Sequence, residues 1–437
     1  MKTTSSRKAV LAALVFGSAF FVSCGDYYRP TAIPIVKPGG DPSFFEGAVV
    51  LTANPTGGSG GTAGQAGLMN IDLSGEVNVG NHFVGRGAVQ AASLRGAVNT
   101  TYTANEVDST VSVAGFGATA NVSNVTLLQG SIPTSIGTSR LDTMYVTMTG
   151  NNSYSDENCP GSGLLGVVRG LVLEAHVCVG ANPVGIVGSV DQSRIYVLNN
   201  GSDSVTVVDA ASRTVVNTVA LPAGSGPVKG LVHPTQPMLY VLNSNGTISV
   251  INTIYLTVAS TFSSGGTSPV DIFYDSRNSR LVVLNAGNSS VRVFEVSVDL
   301  PTSTRDVTVG VAPKSLVVLP NGAKAYVANS GEDTISVIDL TTFAEKKITL
   351  TDTATSPSPH TPVSISAARD SSRVIVANSG SRDVSIIRTS TDTEVPDLQG
   401  APYRLPAPYQ DPHCVPTASV PCARQSPVQV LTVIKTQ

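Results

Sequence analysis

A unit of 42 to 49 residues repeats along the second half of this 437-residue chain. Each copy opens with a proline at the head of a short apolar stretch, and consecutive prolines lie 44, 42, 44 and 49 residues apart. These prolines are Pro183, Pro227, Pro269, Pro313 and Pro362. One such unit is too small to bury its apolar residues alone, so the copies must stack against one another.

Each copy contains alternating apolar stretches and turns, of which residues 323–340 (AKAYVANSGEDTISVIDL) are the clearest example. The stretch predicts a strand, a tight turn and a second strand, because Asn, Ser, Gly and Asp tolerate the backbone conformations of turns. Four strands fit into each copy, and a repeat of this length with four strands indicates a β-propeller. The strands are almost continuously apolar, which is typical of strands buried on both faces.

Earlier and weaker copies raise the number of predicted blades to eight, with seven as the alternative. They pair residues 48–54 with 68–73, 100–105 with 110–114, and 143–149 with 164–169. The first copy has no strand of its own before Ala48, whereas residues 426–434 repeat the pattern of a first strand and include Pro427. We therefore predict one all-β propeller domain over residues 47–437, closed by a C-terminal strand that completes the first blade.

The N-terminus has the pattern of an export signal over residues 1–23. Lys2, Arg7 and Lys8 precede an apolar segment that is too short to span a bilayer comfortably. The segment ends at Ser23-Cys24-Gly25, which resembles the lipobox of bacterial lipoproteins. That resemblance implies cleavage before Cys24, lipid attachment to it, and, from Gly25, an outer-membrane location. The alternative is an ordinary secretory signal. Residues 24–46 hold four prolines and predict a stiff tether.

Four cysteines remain besides Cys24, an even number that suits disulfides in an exported protein. Of the three possible pairings, the most local joins Cys159 to Cys178 and Cys414 to Cys422. The second disulfide would cross-link a long proline-rich connection at residues 397–424. A metal site at His413, Cys414 and Cys422 is the competing interpretation, but it lacks the spacing of zinc sites. The sequence predicts no metal and no cofactor.

A second periodic feature lies two residues after the prolines that begin the first strands. Polar or small residues occupy this position in otherwise apolar stretches. They are Gly185, Lys229, Asp271, Ser315, Ser364 and Gln429. Because first strands line the central channel of a propeller, these residues are expected to form a ring at the channel mouth. The ring is either a ligand site or a hydrogen-bonded, water-filled lining, and we favour the lining.

Other patterns give no support to nucleic-acid binding or to catalysis. The formal charge of −3 does not suggest nucleic-acid binding, which requires a basic face. No GxSxG, Walker A or HExxH motif occurs in a strand-to-helix context, so catalysis has no support from motifs. The five histidines are scattered over different copies and are expected to be solvated or to cap turns.

The second strands carry a recognisable signature. Tyr196-Val-Leu-Asn, Tyr240-Val-Leu-Asn and Tyr326-Val-Ala-Asn, each followed by a turn and a Val/Ile-rich strand, resemble the YVTN family of β-propeller repeats. The resemblance implies an extracytoplasmic binding protein, and many members have seven blades. We expect a membrane-anchored binding or scaffold module for a protein or an envelope polysaccharide. The alternatives are a lactonase-like hydrolase with its site at the channel mouth and a purely structural envelope protein.

Overall fold

The computed structural model of the chain describes most of it from residue 46 onward. The described ranges are 46–54, 64–94, 100–139, 142–150, 159, 163–296, 301–353, 356–397, 399–411, 414 and 422–434. Within them lie 33 strands and one short 3-10 helix, Asn200–Ser202. No helix in these ranges has the length and apolarity needed to cross a membrane. The predicted signal, Cys24 and nearly all of the predicted tether lie outside the described residues.

The strands of the first four blades follow one another along the chain. They are β1 (Glu46–Ala53), β2 (Gln65–Asp72), β3 (Val77–Arg86), β4 (Ala88–Ser93), β5 (Thr100–Asn105), β6 (Thr110–Gly115), β7 (Val122–Thr126), β8 (Ser131–Thr138), β9 (Thr143–Gly150), β10 (Gly163–Arg169), β11 (Val172–Val179), β12 (Pro183–Gly188), β13 (Arg194–Asn199), β14 (Ser204–Asp209) and β15 (Val215–Ala220).

The remaining blades continue the same order. Their strands are β16 (Pro227–Val232), β17 (Met238–Asn243), β18 (Thr247–Asn252), β19 (Thr257–Ser263), β20 (Pro269–Asp275), β21 (Arg280–Asn285), β22 (Ser290–Val296), β23 (Pro301–Thr308), β24 (Pro313–Val318), β25 (Lys324–Asn329), β26 (Thr334–Asp339), β27 (Glu345–Thr349), β28 (Pro362–Ala367), β29 (Arg373–Asn378), β30 (Asp383–Arg388), β31 (Thr393–Glu394), β32 (Arg404–Pro406) and β33 (Ser426–Ile434).

These strands form eight antiparallel sheets, which are the eight blades of a propeller. Seven sheets have four strands, and in the eighth blade β32 also pairs with β30. The first strands of neighbouring blades lie next to one another and form the inner ring. The predicted all-β propeller with eight blades is confirmed, and the five prolines that marked first strands begin β12, β16, β20, β24 and β28.

The first blade is closed by the two ends of the described chain. Its strand order is β3-β2-β1-β33, so the C-terminal strand is innermost. Glu46 pairs with Ile434 at one end of the β1–β33 ladder, and Ala53 pairs with Ser426 at the other. The closing strand therefore has the predicted bounds and removes the open edge that a linear stack of blades would leave.

Every connection between strands opens on one of two faces, because consecutive strands are antiparallel. We call the face at which the innermost strands begin the front face, and the opposite one the back face. Second-to-third and fourth-to-first connections lie on the front face. First-to-second and third-to-fourth connections lie on the back face. Since β1 is a second strand, Glu46 lies on the back face, and so does Ile434 at the end of β33.

Apolar side chains fill the space between neighbouring blades. Tyr326 and Ile335 of the seventh blade pack against Val374 and Ile387 of the eighth, and all four are buried. The same arrangement joins the first and eighth blades, where Val430 contacts the cluster around Ile375. Each blade thus has apolar residues on both of its faces, which explains the continuous apolar runs in the sequence.

The asparagine that ends the repeated second-strand motif clamps the following hairpin. In the seventh blade, Nδ2 of Asn329 donates to Oγ1 of Thr334 and to Oγ of Ser336, both at 3.0 Å. Four further asparagines donate in the same way to side chains of the next strand, namely Asn105, Asn199, Asn243 and Asn378. The motif therefore has a structural role, which is to hold the second and third strands together where they leave the core.

Replacing one of these clamps is expected to destabilise the fold measurably. Asn329 is fully buried, and Asn329→Ala removes both of its hydrogen bonds, so that Thr334 loses this donor and Ser336 keeps only the N–H of Gly310. We expect the free energy of unfolding to fall by about 1–3 kcal/mol, measured by chemical denaturation. The control is Thr218→Ala on the exposed outer strand β15, with an expected change of about 0.5 kcal/mol or less. Equal effects of the two variants would contradict the clamp.

Candidate functional site

The long connections of this propeller all open on the front face. Four connections exceed ten residues, and they are residues 54–64, 151–162, 350–361 and 395–425. Connections on the back face contain only 2 to 6 residues. Long connections are costly to order and commonly carry function in compact domains, so the front face is the first candidate for a functional surface.

Both disulfides fasten connections of this face. Cys159 is bonded to Cys178, which ties the 151–162 connection to the outer strand β11 of the same blade. Cys414 is bonded to Cys422 inside the 395–425 connection. The structure thus contains the two bonds of the most local pairing. Disulfides persist in oxidising compartments, so they fit an extracytoplasmic location.

The predicted ring residues also lie near the front face, and most of them bond to the next blade. Oδ2 of Asp271 accepts the N–H of Leu316 at 3.0 Å. Oγ of Ser364 accepts the N–H of Val430 at 3.1 Å, and Ser315 accepts in the same way from Ile365 at 3.4 Å. The side chains therefore satisfy backbone donors on the channel edges of the innermost strands, which have no neighbouring strand on that side.

Gln429 makes the same kind of contact from the first blade, which contains the closing strand, to the second blade. Its Oε1 accepts the N–H of Ala91 at 2.8 Å, and its Nε2 donates to the carbonyl of the same residue at 3.2 Å. Gln90 in turn accepts from the N–H of Ile136 at 3.0 Å and from Oγ of Ser135 at 2.7 Å. Gln90 and Ser135 are ring residues that sequence reasoning missed, although Pro133-Thr134-Ser135 has the same proline spacing as the other copies.

A bulge next to each ring residue explains why the spacing recurs. All eight innermost strands shift register immediately before the ring position, for example between Pro269 and Asp271 in β20. The other shifts lie in β4, β8, β12, β16, β24, β28 and β33. A bulge re-aims the following side chain, which here reaches the neighbouring blade. Gly185 has no side chain, so its blade cannot make this contact.

The Lys229–Asp271 pair gives the ring its one pair of opposite charges. Nζ of Lys229 donates to Oδ1 of Asp271. The carboxylate also accepts the N–H of Ile272 at 2.9 Å, and only 8% of its side chain is exposed. Asp271 is therefore already coordinated by protein donors, which is the arrangement of a structural group.

A buried ionic network lies where the longest front-face connections meet the eighth blade. We call it the Arg404 cluster, and it contains Arg404, Asp383, Glu394 and His360. The guanidinium lies 2.8 Å from Oε1 of Glu394 and 3.5 Å from Oδ1 of Asp383. It also lies 3.3 Å from Nδ1 of His360 and donates to the carbonyl of Thr351 at 3.0 Å.

The Arg404 cluster fixes two connections in place. Arg404 belongs to β32 in the 395–425 connection, and His360 belongs to the 350–361 connection. Their side chains, and those of Asp383 and Glu394, are at most 6% exposed. On the solvent side, Asp352 lies 3.1 Å from Nε2 of His360 and is 59% exposed. Since buried charges are tolerated only when they are paired, the network holds these segments in one arrangement.

The histidines were expected to be solvated or to cap turns, and the structure agrees only in part, while His413 lies outside the described residues. His360 is fully buried, and His82 and His233 are almost so. Nδ1 of His233 caps a turn by accepting the N–H groups of Thr235 and Gln236 at 3.2 and 2.9 Å. Burial lowers the pKa of His233, which favours its neutral form as a cap. Across the described ranges, no group of three or more His, Cys, Asp or Glu residues is arranged to hold a metal ion.

The fold and site define an eight-bladed β-propeller whose front face carries long, covalently and ionically fastened connections. Residues 186–338, about a third of the chain, match the family described as "Lactonase, 7-bladed beta-propeller". The match runs from the fourth to the seventh blade and contains Lys229, Asp271 and Ser315. A comparison with curated proteins gives no match.

Two solved structures are similar to this chain. A dihydro-heme d1 dehydrogenase, NirN, in complex with DHE is 12% identical, covers 93% of this chain and 79% of its own, and superposes with a TM-score of 0.65. Hydrazine synthase of Kuenenia stuttgartiensis is 18% identical, with coverage of 64% of this chain and 88% of its own and a TM-score of 0.48. At these identities the likeness to NirN supports the fold alone.

Proposed function

We propose that this chain is an extracytoplasmic, lipid-anchored propeller that binds a protein or a polysaccharide of the cell envelope through its front face. The lipid is attached at Cys24 and lies in a bacterial membrane, which the resemblance at Gly25 favours as the outer one. The propeller serves as a rigid ring that presents the long connections. The repeats then act as YVTN-type scaffolding, and recognition resides in the segments that do not repeat.

The observation that carries this proposal is the unequal use of the two faces. All connections longer than ten residues are on the front face, and two of them are held by the Arg404 cluster. Ordering a loop before it binds reduces the entropy lost on binding. Fastened loops on a rigid scaffold are therefore suited to recognition, whereas the short turns of the back face need no such fastening.

Site-directed photo-crosslinking in intact cells tests the proposal. A photoreactive phenylalanine analogue is placed at exposed positions of the long front-face connections, namely Pro357, Gln399 and Ala401. Matched controls lie at the exposed back-face turn residues Thr341 and Ser390. We expect discrete crosslinked products from the front-face set and none from the controls. Products from the back-face positions alone, or from neither set, would contradict a front-face partner. Purification of a crosslinked product identifies its class.

A hydrolase is the second candidate, because the lactonase family match includes the Lys229–Asp271 pair. In that case the channel mouth, and not the long connections, would bind the substrate. Opening of a lactone by the purified chain, lost on Asp271→Ala but retained on Ser390→Ala, would assign this activity. Binding that is unchanged on Lys229→Ala and Asp271→Ala would exclude the ring as the ligand site.

A further inference from the structure

Three neighbouring blades expose apolar residues at the outer edge of the back face. Tyr255 is 75% exposed and Ile254 is 64% exposed at the third-to-fourth turn of the fifth blade. Leu171 and Val172 occupy the corresponding turn of the third blade, and Val215 and Val216 begin the outer strand of the fourth. We call these six residues the apolar rim.

Contacts between the blades place the three parts of the rim next to one another. Arg213 of the fourth blade forms an ion pair with Glu174 of the third. Asn217, next to Val216, donates to the carbonyl of Leu256 in the fifth blade at 3.2 Å. The rim therefore follows one arc of the back face across three blades.

The turn conformation does not require apolar residues at the tip. In the fifth blade Oδ1 of Asn252 accepts the N–H groups of Ile254 and Tyr255 at 2.9 and 3.0 Å, and Leu256 follows with φ of 55°. In the seventh blade Asp339 makes the same two bonds, both at 2.8 Å, to Thr341 and Thr342, and Phe343 has φ of 60°.

The fourth blade repeats this turn once more. Asp209 accepts the N–H groups of Ala211 and Ser212 at 3.0 and 2.7 Å, followed by Arg213 with φ of 60°. Three turns of one geometry thus carry Ile-Tyr, Thr-Thr and Ala-Ser at their tips. Since this turn also forms with small or hydroxyl-bearing residues at its tip, folding does not explain why Ile254 and Tyr255 are exposed beside the other apolar residues of the rim, and such a patch indicates an external contact.

The described chain begins on the same face as the rim. Glu46 lies on the back face, and Cys24 precedes it by 22 residues, which can span at most roughly 75 Å. An anchor at Cys24 would hold the back face within this distance of a membrane. At the high effective concentration that a tether creates, even a weak second contact is populated.

We infer that the apolar rim rests on the phospholipid bilayer, so that the third to fifth blades tilt toward the membrane and the front face points away from it. This inference rests on the proposed lipid anchor. The charged groups beside the rim are paired, as in Arg213–Glu174 and Arg169–Asp142. The contact is therefore apolar, and it should persist when salt screens electrostatic attraction.

The chain contains no tryptophan, so a single introduced one reports its own surroundings. The chain from Cys24 to Gln437, with its disulfides formed, is coupled through the Cys24 thiol to maleimide-bearing vesicles of phosphatidylethanolamine and phosphatidylglycerol that contain brominated lipid. We expect the emission of the Tyr255→Trp variant to shift to the blue and to lose more than half its intensity, at low and at high salt. The matched Thr342→Trp variant should do neither.

Equal quenching of the two variants, or none, overturns the inference, provided that both retain the unfolding midpoint of the parent chain. Protection of the introduced tryptophan in intact envelopes but not on vesicles would assign the rim to a protein and would also overturn it. Coupling through Cys24 does not depend on natural lipidation. Mass analysis of the native Cys24 peptide from the membrane fraction tests the anchor separately, so failure of the anchor and failure of the rim can be told apart.

Discussion

A chain that ends at Gln425 is expected to lose its cooperative folding. The truncation removes β33, which pairs with β1 along its whole length. It also removes the buried side chains of Val430, Leu431 and Val433, each worth about 1.5–3 kcal/mol. Their loss alone is comparable to a total stability of about 5–15 kcal/mol, and it leaves the ring open at one edge. Circular dichroism during thermal unfolding should show no sharp transition.

The matched control for this prediction ends at Ile434 and lacks only residues 435–437. It should unfold at the midpoint of the full chain. A peptide of residues 426–434, added to the truncated chain, should restore the transition by adding the missing strand. A truncated chain that unfolds cooperatively near the midpoint of its parent would show that the first blade contributes little to the closed ring.

The Arg404→Met variant is expected to lose about 3–5 kcal/mol of unfolding free energy, because it leaves the buried carboxylates of Asp383 and Glu394 without their cation. For a domain of this size such a loss lowers the melting temperature by roughly 4–6 °C. Scanning calorimetry measures the change. The melting temperature of the Arg404→Lys variant should lie between those of the parent chain and Arg404→Met. Its ammonium group keeps the charge but cannot contact both carboxylates with one planar group.

The control for this pair of variants is Arg305→Met, on the exposed outer strand β23. Its carbonyl partner is the neighbouring Thr304, so among the described residues the substitution breaks no long-range hydrogen bond. We expect a change of about 0.5 kcal/mol or less. If Arg404→Met and Arg305→Met had the same melting temperature, the Arg404 cluster would not hold the front-face connections in place. The proposal of preformed loops would then lose its main support.

The architecture was predictable because the same residue types recur at the same positions of each blade. A proline at the start of the innermost strand and an asparagine at the end of the second strand recur with the same period. The strands of one blade can therefore be assigned by comparison with those of the next. Even the closing strand could be recognised, since Pro427 heads the same pattern as Pro313. The ring was predicted only in part. Gln90 follows Ala88 and not a proline, whereas Ser135 has the proline spacing and could have been recognised from it.

The Arg404 cluster could not be found in this way. Two of its members, His360 and Arg404, lie in connections that occur once, so no repeated position marks them in the sequence. Their contact depends on how two irregular segments fold back over the eighth blade. The apolar rim was missed for a different reason, since Ile254 and Tyr255 look like core residues in a sequence, and only their position at a turn tip shows that they are exposed.

The pairing of β1 with β33 has a consequence for biosynthesis. A ribosome makes β1 first and β33 last, so the edge of β1 stays unpaired while nearly four hundred residues are added. Such an edge is a template for wrong pairing between nascent chains. The closed ring can form only after β33 has been made, and a chain interrupted anywhere before Ser426 remains a recognisable substrate for chaperones and proteases.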